Sequence, residues 1–369
     1  MTEPFVHLHT HSHYSLLSAL PQIPDLVKKA KDYGMEALAL TDNGNLYGAI
    51  EFYKTCKKYD IKPIIGVDFY LASRTRHDRE SGIDSRRQRL ILLAKDHVGY
   101  KNLIKLVTYA HLEGFYYKPR IDMELLEKYH DGLIAIEPVF NGRIANALAS
   151  NDTERADATL SLYKKLFGDD SVYFEITHHP EIDHHAERVE KVIAYARQTN
   201  TPLVASNDAQ YLMPDDAPAR RTLLSVQSNA DNRRGGFGDS DADFSFTTPK
   251  RMYELFADTP DALTNTERIA AQCALEIPLG NWLFPAYPIP EGSSHATELR
   301  QQVTEGILRR GLALAPEIVE RIEYEFSTIL DKGYAPYFLV VGDLLAYARK
   351  NKIYTNTRGS VAGSLVSYV

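Results

Sequence analysis

Apolar residues recur over the first two hundred positions in short runs, separated by stretches in which they return every three or four residues. The runs at Phe5–Thr10, Ala37–Thr41, Lys62–Leu71, Arg89–Lys95, Leu133–Ile136, Val172–Thr177 and Pro202–Asn207 predict strands. Stretches such as Ile23–Tyr33, Leu46–Tyr59, Tyr100–His111 and His184–Thr199 predict helices between them. Two of these helices are amphipathic by spacing, through Asp25, Leu26, Ala30 and Tyr33 and through Val189, Val192, Ile193 and Ala196. Seven strands alternating with helices predict a parallel β/α barrel. Chemistry in such a barrel belongs at the C-terminal ends of the strands, so the residues of a site should fall at the ends of these runs.

Further along, the pattern changes. The segment Asn229–Asp243 is rich in Gly, Asp and Asn, carries Arg233 and Arg234, and reads as a surface excursion before a strand at Phe244 and Phe246. Prolines at 283–292 predict an extended linker, and from Ala296 the period becomes helical. The expected organisation is therefore a barrel over 1–282, a linker over 283–295 and a second, mainly helical region over 296–369.

Composition narrows the class only a little. With 44% hydrophobic and 25% charged residues, the chain is an ordinary globular one. A formal net charge of -7 argues against a surface coated for nucleic acid while leaving local basic patches. Cys56 and Cys273 lie too far apart in sequence for a zinc motif, and a reducing cytoplasm fits. The N-terminus has no basic-then-apolar leader, and no apolar run is long enough to span a bilayer, so a cytoplasmic chain without a membrane partner is expected. The arginines Arg74, Arg76, Arg79, Arg86, Arg87 and Arg89 predict either a solvated loop or a phosphate-contacting patch.

The candidate chemistry begins at His7, His9, His11 and His13. Alternation in a strand would aim these imidazoles one way, and imidazole is the commonest ligand of divalent metals. Thr41-Asp42-Asn43 ends the second strand, Gly66-Val67-Asp68 lies in the third, and Asn207-Asp208 ends the seventh. The pairs His178-His179 and His184-His185 flank a proline-containing loop and are expected to be solvated.

Several longer strings are specific. H-L-H-T-H-S-H-Y-S-L-L, A-L-T-D-N-G-N-L-Y-G-A-I-E-F-Y and K-P-I-I-G-V-D-F-Y are followed by L-L-A-K-D-H-V-G-Y-K-N-L, E-G-F-Y-Y-K-P-R-I-D, V-A-S-N-D-A-Q-Y, G-Y-A-P-Y-F-L-V-V-G-D and R-G-S-V-A-G-S-L-V-S-Y. In this order they resemble the PHP (polymerase and histidinol phosphatase) domain and the start of the palm in bacterial C-family replicative DNA polymerases, the DNA polymerase III alpha subunits. The resemblance implies an α/β fold: a distorted seven-stranded (β/α)7 PHP barrel followed by the mainly helical start of a nucleotidyltransferase palm.

The same resemblance implies a site. Active PHP barrels hold a multinuclear metal cluster, and His7, His9, Asp68 and Asp208 stand at ligand positions here as a vestigial set. At other ligand positions this chain carries Ser18, Asn43, Arg89, Val139 and Gln210. Arg89 puts a permanent cation where a metal belongs. The expected barrel is thus a scaffold without hydrolytic activity, with zinc or manganese only weakly possible at the remnant. His11 has no ligand role in that pattern and is expected to support its neighbours by hydrogen bonding; His13 is expected to be exposed.

In the C-terminal part, Arg358, Gly359 and Ser360 match the family's phosphate-binding signature, in which small residues let backbone N–H groups approach a triphosphate. Thr355-Asn356-Thr357 replaces the usual G-P-G before it. The family's magnesium-binding aspartates follow this signature in relatives, in a segment not reached by Val369. Other D-x-D strings occur only at Asp239–Asp241 and Asp241–Asp243. The expectation is an N-terminal fragment, or a naturally shortened relative, that does not polymerise DNA alone, with DNA, dNTP, a proofreading exonuclease and other replicase subunits as the partners implied. The rival readings are a stand-alone metal-dependent PHP phosphoesterase or 3'-5' exonuclease, and a non-catalytic docking module for a proofreading exonuclease.

Overall fold

The computed structural model describes residues 4–227 and 242–369. It divides into two compact units, Met1–Ile277 and Pro278–Val369. The division falls a few residues ahead of the 282/283 boundary expected from the prolines.

In the first unit the strands are β1 (Ala37–Leu40), β2 (Lys62–Ala72), β3 (Arg87–Ala94), β4 (Phe115–Tyr116), β5 (Lys118–Ile121), β6 (Leu133–Glu137), β7 (Val172–Ile176) and β8 (Leu203–Ala205). The helices are α1 (Ile23–Asp32), α2 (Ala49–Lys58), α3 (His97–Leu112), α4 (Met123–Lys128), α5 (Arg143–Ala149), α6 (Thr153–Phe167), α7 (His185–Gln198), α8 (Ala217–Gln227), α9 (Pro249–Leu255) and α10 (Pro260–Gln272). Aspartates start several of them: the carboxylates of Asp96, Asp122 and Asp152 accept backbone N–H groups of the first turns of α3, α4 and α6.

The sheet runs β1-β2-β3-β6-β7-β8, with β5 and β4 attached at the far end of β2. The segment 5–10 closes it. The carbonyl of His7 accepts the Ala39 N–H and that of Thr10 accepts the Thr41 N–H on one side. On the other side His9 and His11 exchange backbone hydrogen bonds with Ala209. This segment is extended but pairs too irregularly to be a regular strand. The seven expected runs are all present as staves of a distorted barrel.

The staves are not all parallel. β3 is antiparallel to both β2 and β6, because residues 73–86 between β2 and β3 contain no crossover helix. Phe244 and Phe246 pair through single backbone bonds with Gln210 and Tyr211, the Phe244 N–H donates to the Tyr211 hydroxyl, and one bridge forms at Ser245, in place of the expected strand.

Alternation sorts the core into two layers. Leu8, Ala39, Ile64, Ile91, Leu93, Ile134, Tyr173 and Val204 fill the barrel interior, whereas Leu38, Leu40, Val67, Leu92, Phe174 and Leu203 pack outward beneath the helices. Ile269, Ala270 and Cys273 of α10 belong to the interior cluster. The Lys62 ammonium donates to the Ala270 carbonyl, and the Ala274 N–H to that of Lys95. Helix α10 therefore closes the end where β2 begins, leaving the C-terminal ends of the parallel strands at the opposite mouth. Gly66 sits in β2 below that mouth, where an added Cβ would lie 2.4 Å from the Leu93 side chain.

The second unit contains α11 (His295–Arg310), α12 (Pro316–Asp331), α13 (Ala335–Lys350) and the short α14 (Leu365–Tyr368). They bury Leu299, Val303, Phe326, Ile329, Leu339 and Val366 in a separate core. Trp282 and Phe284, from the proline-rich segment, lie against Tyr334. Among the described residues no helix is long and apolar enough to cross a membrane.

Candidate functional site

At the mouth of the barrel, Asp68 of β2 is fully buried and Arg89 of β3 turns toward it. The antiparallel register sets Arg89 opposite Tyr70, two residues beyond Asp68 on the same face, which brings the two side chains together across one diagonal. Arg89 Nε donates to Asp68 Oδ1 at 3.0 Å, and Nη2 donates to Oδ2. Nη2 also reaches the Asn43 side-chain oxygen at 3.0 Å.

His9 stands at the centre of the carboxylates. Its Nδ1 donates to Glu175 Oε1 at 2.7 Å, and its Nε2 faces Asp68 Oδ2 at 3.2 Å and Asp208 Oδ1 at 3.4 Å. Burial opposes a charge on this ring, but Asp208 and Glu175 outweigh it and raise the pKa. The imidazolium is the form these contacts favour.

Asp208 is gripped in turn. His11 Nε2 donates to its Oδ1 at 2.9 Å, and so does the Gln210 amide. Burial pushes the Asp208 carboxyl up, yet His9, His11 and Arg89 more than reverse this and hold it well below the usual carboxylate range. His11, pulled down to about 4 by burial despite Asp208, is neutral. Its Nδ1 lies 3.1 Å from the Ser15 hydroxyl, which donates to the buried Asp42. His11 thus has the supporting role expected of it.

The histidines do not share one direction. His7 packs between Phe5 and Phe246 of the outer core layer, and its Nε2 donates to the Thr247 carbonyl. Leu8 and His9 both turn inward, so the strand alternation breaks where the segment becomes irregular. Of the four expected vestigial ligands, His9, Asp68 and Asp208 come together and His7 stands apart. His13, expected to be exposed, is half-buried, with its ring tilted against that of Tyr14.

These donors do not fit a multinuclear cluster. Both oxygens of Asp68 are taken by a permanent cation, and both nitrogens of His9 face carboxylates. At three positions where the resemblance implies histidine, Arg89 donates to Asp68, Gln210 donates to Asp208, and Asn43 accepts from Arg89. Among the described residues, His9, His11 and Asp208 do lie close enough to share a single metal ion.

Glu175 was not singled out from the sequence, although V-Y-F-E-I-T ends β7 with a carboxylate in register with Tyr173 of the interior. Two other expectations need correction. His179 and His185 are buried, not solvated: the loop folds back so that His179 lies on Phe244 and His185 stacks on Phe140. His178 and His184 are exposed. The arginine-rich stretch is partly a structural knot. Arg74 binds Asp84, and Arg76 binds Glu113, Asp122 and Glu124. Arg233, Arg234, the Asp239–Asp241 string and most of the Asn229–Asp243 segment lie outside the described residues.

In the second unit Arg358, Gly359 and Ser360 are exposed, with Gly359 at φ 79°. The segment that follows is held by Glu325, a residue the sequence reading missed. Its carboxylate accepts the Ser364 hydroxyl and the N–H groups of Leu365 and Val366, while Arg321 donates to it at 2.6 Å.

Comparison with known proteins gives two family matches: PHP domain over residues 7–179, and bacterial DNA polymerase III alpha NTPase domain over residues 297–369. The chain is 40% identical to the DNA polymerase III subunit alpha of Borreliella burgdorferi, over 99% of this chain and 32% of that one. It is 38% identical to the corresponding subunits of Aquifex aeolicus, over 100% and 33%, and of Treponema pallidum, over 99% and 31%. The chain therefore spans about a third of the length of these curated relatives.

Proposed function

Because this chain belongs to the family of DNA polymerase III alpha subunits, we propose that it serves as the N-terminal part of a cytoplasmic replicative DNA polymerase, with the PHP barrel as a scaffold. The observation that carries the scaffold role is the set of N–H donors filling the old metal site. Arg89 and His9 meet Asp68; His11 and Gln210 meet Asp208. A catalytic metal needs free ligand atoms and an open position for water. Here the ligand atoms are committed to one another.

In this reading the barrel contributes rigidity, and Arg358, Gly359 and Ser360 contribute a phosphate-binding loop to a palm completed elsewhere. DNA and dNTP are the substrates of that whole assembly, and magnesium its cofactor. A proofreading exonuclease and other replicase subunits are the partners that fit it. Incubating the 369-residue chain with a primed template, dNTPs and magnesium should give no extension. Extension would overturn the reading.

The second reading, a single-metal phosphoesterase or exonuclease, is favoured by the closeness of His9, His11 and Asp208. Manganese- or zinc-stimulated phosphodiester hydrolysis that disappears in H9A would establish it in place of the scaffold. Absence of hydrolysis supports the scaffold.

A further inference from the structure

The hairpin of β4 and β5 turns at Tyr117, whose left-handed backbone (φ 60°) is unusual for a bulky side chain. Its aromatic groups face outward, with Phe115 51% and Tyr117 66% exposed. Below them Tyr116 lies over the guanidinium of Arg120, 5.2 Å away. Arg120 is fully buried and spends its donors on the carbonyls of Gly114, Asp84, Arg76 and Asp78. It ties the hairpin to the 73–86 loop and offers nothing outward.

Other cations beside it are not spent. Arg87 and Lys118 both approach the ring of Tyr70, each 5.9 Å from its centre. Neither forms an ion pair with a carboxylate among the described residues, and neither does the exposed Arg79, which follows Asp78 on the same loop. In contrast, Arg74, Arg76 and Arg89 from the same stretch are all paired. Burial and the neighbouring Arg87 both lower the pKa of Lys118, as expected for two like charges lacking a counter-ion.

Unpaired cations beside outward-facing aromatic rings are the chemistry that binds a flexible polyanion with flat, unstacked faces. From this we infer that the β4–β5 hairpin and its flank form a docking surface for single-stranded nucleic acid. Arg79, Arg87 and Lys118 neutralise phosphates, while Phe115 and Tyr117 stack on bases. A duplex keeps its bases stacked and would leave the two rings unused. An acidic protein would match the cations without needing them. The inference stands on the patch itself and does not require the polymerase reading.

Fluorescence anisotropy of a labelled oligo-dT with the 369-residue chain, over a range of salt, tests it. R87E/K118E should weaken binding tenfold or more and flatten the salt dependence by about 1.4 in log–log slope, at about 0.7 per lost phosphate contact. F115A/Y117A should weaken it about tenfold with the slope unchanged. R79E, at an exposed loop position, should act in the direction of the charge pair without touching the fold. The inference is overturned if these variants, folded by circular dichroism, bind as the parent does. It is also overturned if a duplex of equal length binds as tightly, or if poly-glutamate competes as well as the oligonucleotide. Such a result would leave the family assignment and the scaffold role untouched, since those are tested by extension, hydrolysis and metal dependence.

Discussion

Arg89 grips both carboxylate oxygens of Asp68 inside the mouth of the barrel, with Nε 3.0 Å from Oδ1 and Nη2 on Oδ2. Forked pairing of this kind is the strong form of an ion pair. Breaking it from one side strands a fully buried charge. Arg89→Met should therefore cost about 3–5 kcal/mol in urea unfolding, whereas Asp68→Leu combined with Arg89→Met should recover most of that loss. A loss below about 1 kcal/mol for the single variant would mean that the pair does not hold the mouth together.

Glu137 ends β6 fully enclosed, with one oxygen on the Ile144 N–H and the other without a partner among the described residues. Burial pushes its carboxyl from 4.5 up to about 8. Between those values the folded chain keeps a proton that the unfolded chain has released, so stability from this group falls as pH rises from about 5 to 8. Glu137→Gln keeps the acceptor for Ile144 and removes the titration. Its stability should lose less between pH 5 and pH 8 than the parent's, as read from urea midpoints at the two pH values.

His179 lies among Phe140, His185 and Phe244 with both ring nitrogens unpartnered among the described residues. Burial and the neighbouring His185 lower it from 6.5 to about 3. On acidification the unfolded chain takes up its proton first, so this group drains stability as pH falls below about 6.5. His179→Phe suits the aromatic surroundings and removes two orphaned nitrogens. It should raise stability at pH 7 by about 1 kcal/mol and shallow the acid limb of the stability curve. A destabilised variant would show that the imidazole has a partner here after all.

Glu325 holds the start of α14 through Ser364, Leu365 and Val366. Burial raises its carboxyl, but those N–H groups, Arg321 and Ser364 outweigh it and lower the pKa. The stabilisation is present above about pH 4.5 and is lost as pH falls through the depressed value. Glu325→Ala should cost about 1.5–3 kcal/mol. Hydrogen exchange should speed up first at the Leu365 and Val366 amides.

Much of this was legible in the residues. All seven staves were visible as apolar runs, because a barrel strand carries apolar residues on both faces and stands out from its helical neighbours. The reversal of β3 was not, since direction depends on the missing crossover helix, and the strand's own pattern is the same either way. Asp208 could be placed at a strand end and Asp68 within a strand, and the charge of Arg89 already spoke against a metal. The inward turn of both Leu8 and His9 was hidden, because alternation predicts that only one of two adjacent residues faces the interior. Glu175 went unnoticed as a lone carboxylate, and Glu325 because the α14 groups it holds lie about forty residues away in sequence.

The central claim is that hydrogen-bonded ion pairs, and not a metal cluster, hold the mouth of the barrel. Thermal unfolding of the 369-residue chain with and without excess EDTA tests this most directly. The Tm should agree within about 1 °C in the two conditions. A fall of about 5 °C or more on chelation, restored by added zinc or manganese, would correspond to roughly 2 kcal/mol of metal-dependent stability and would contradict the account.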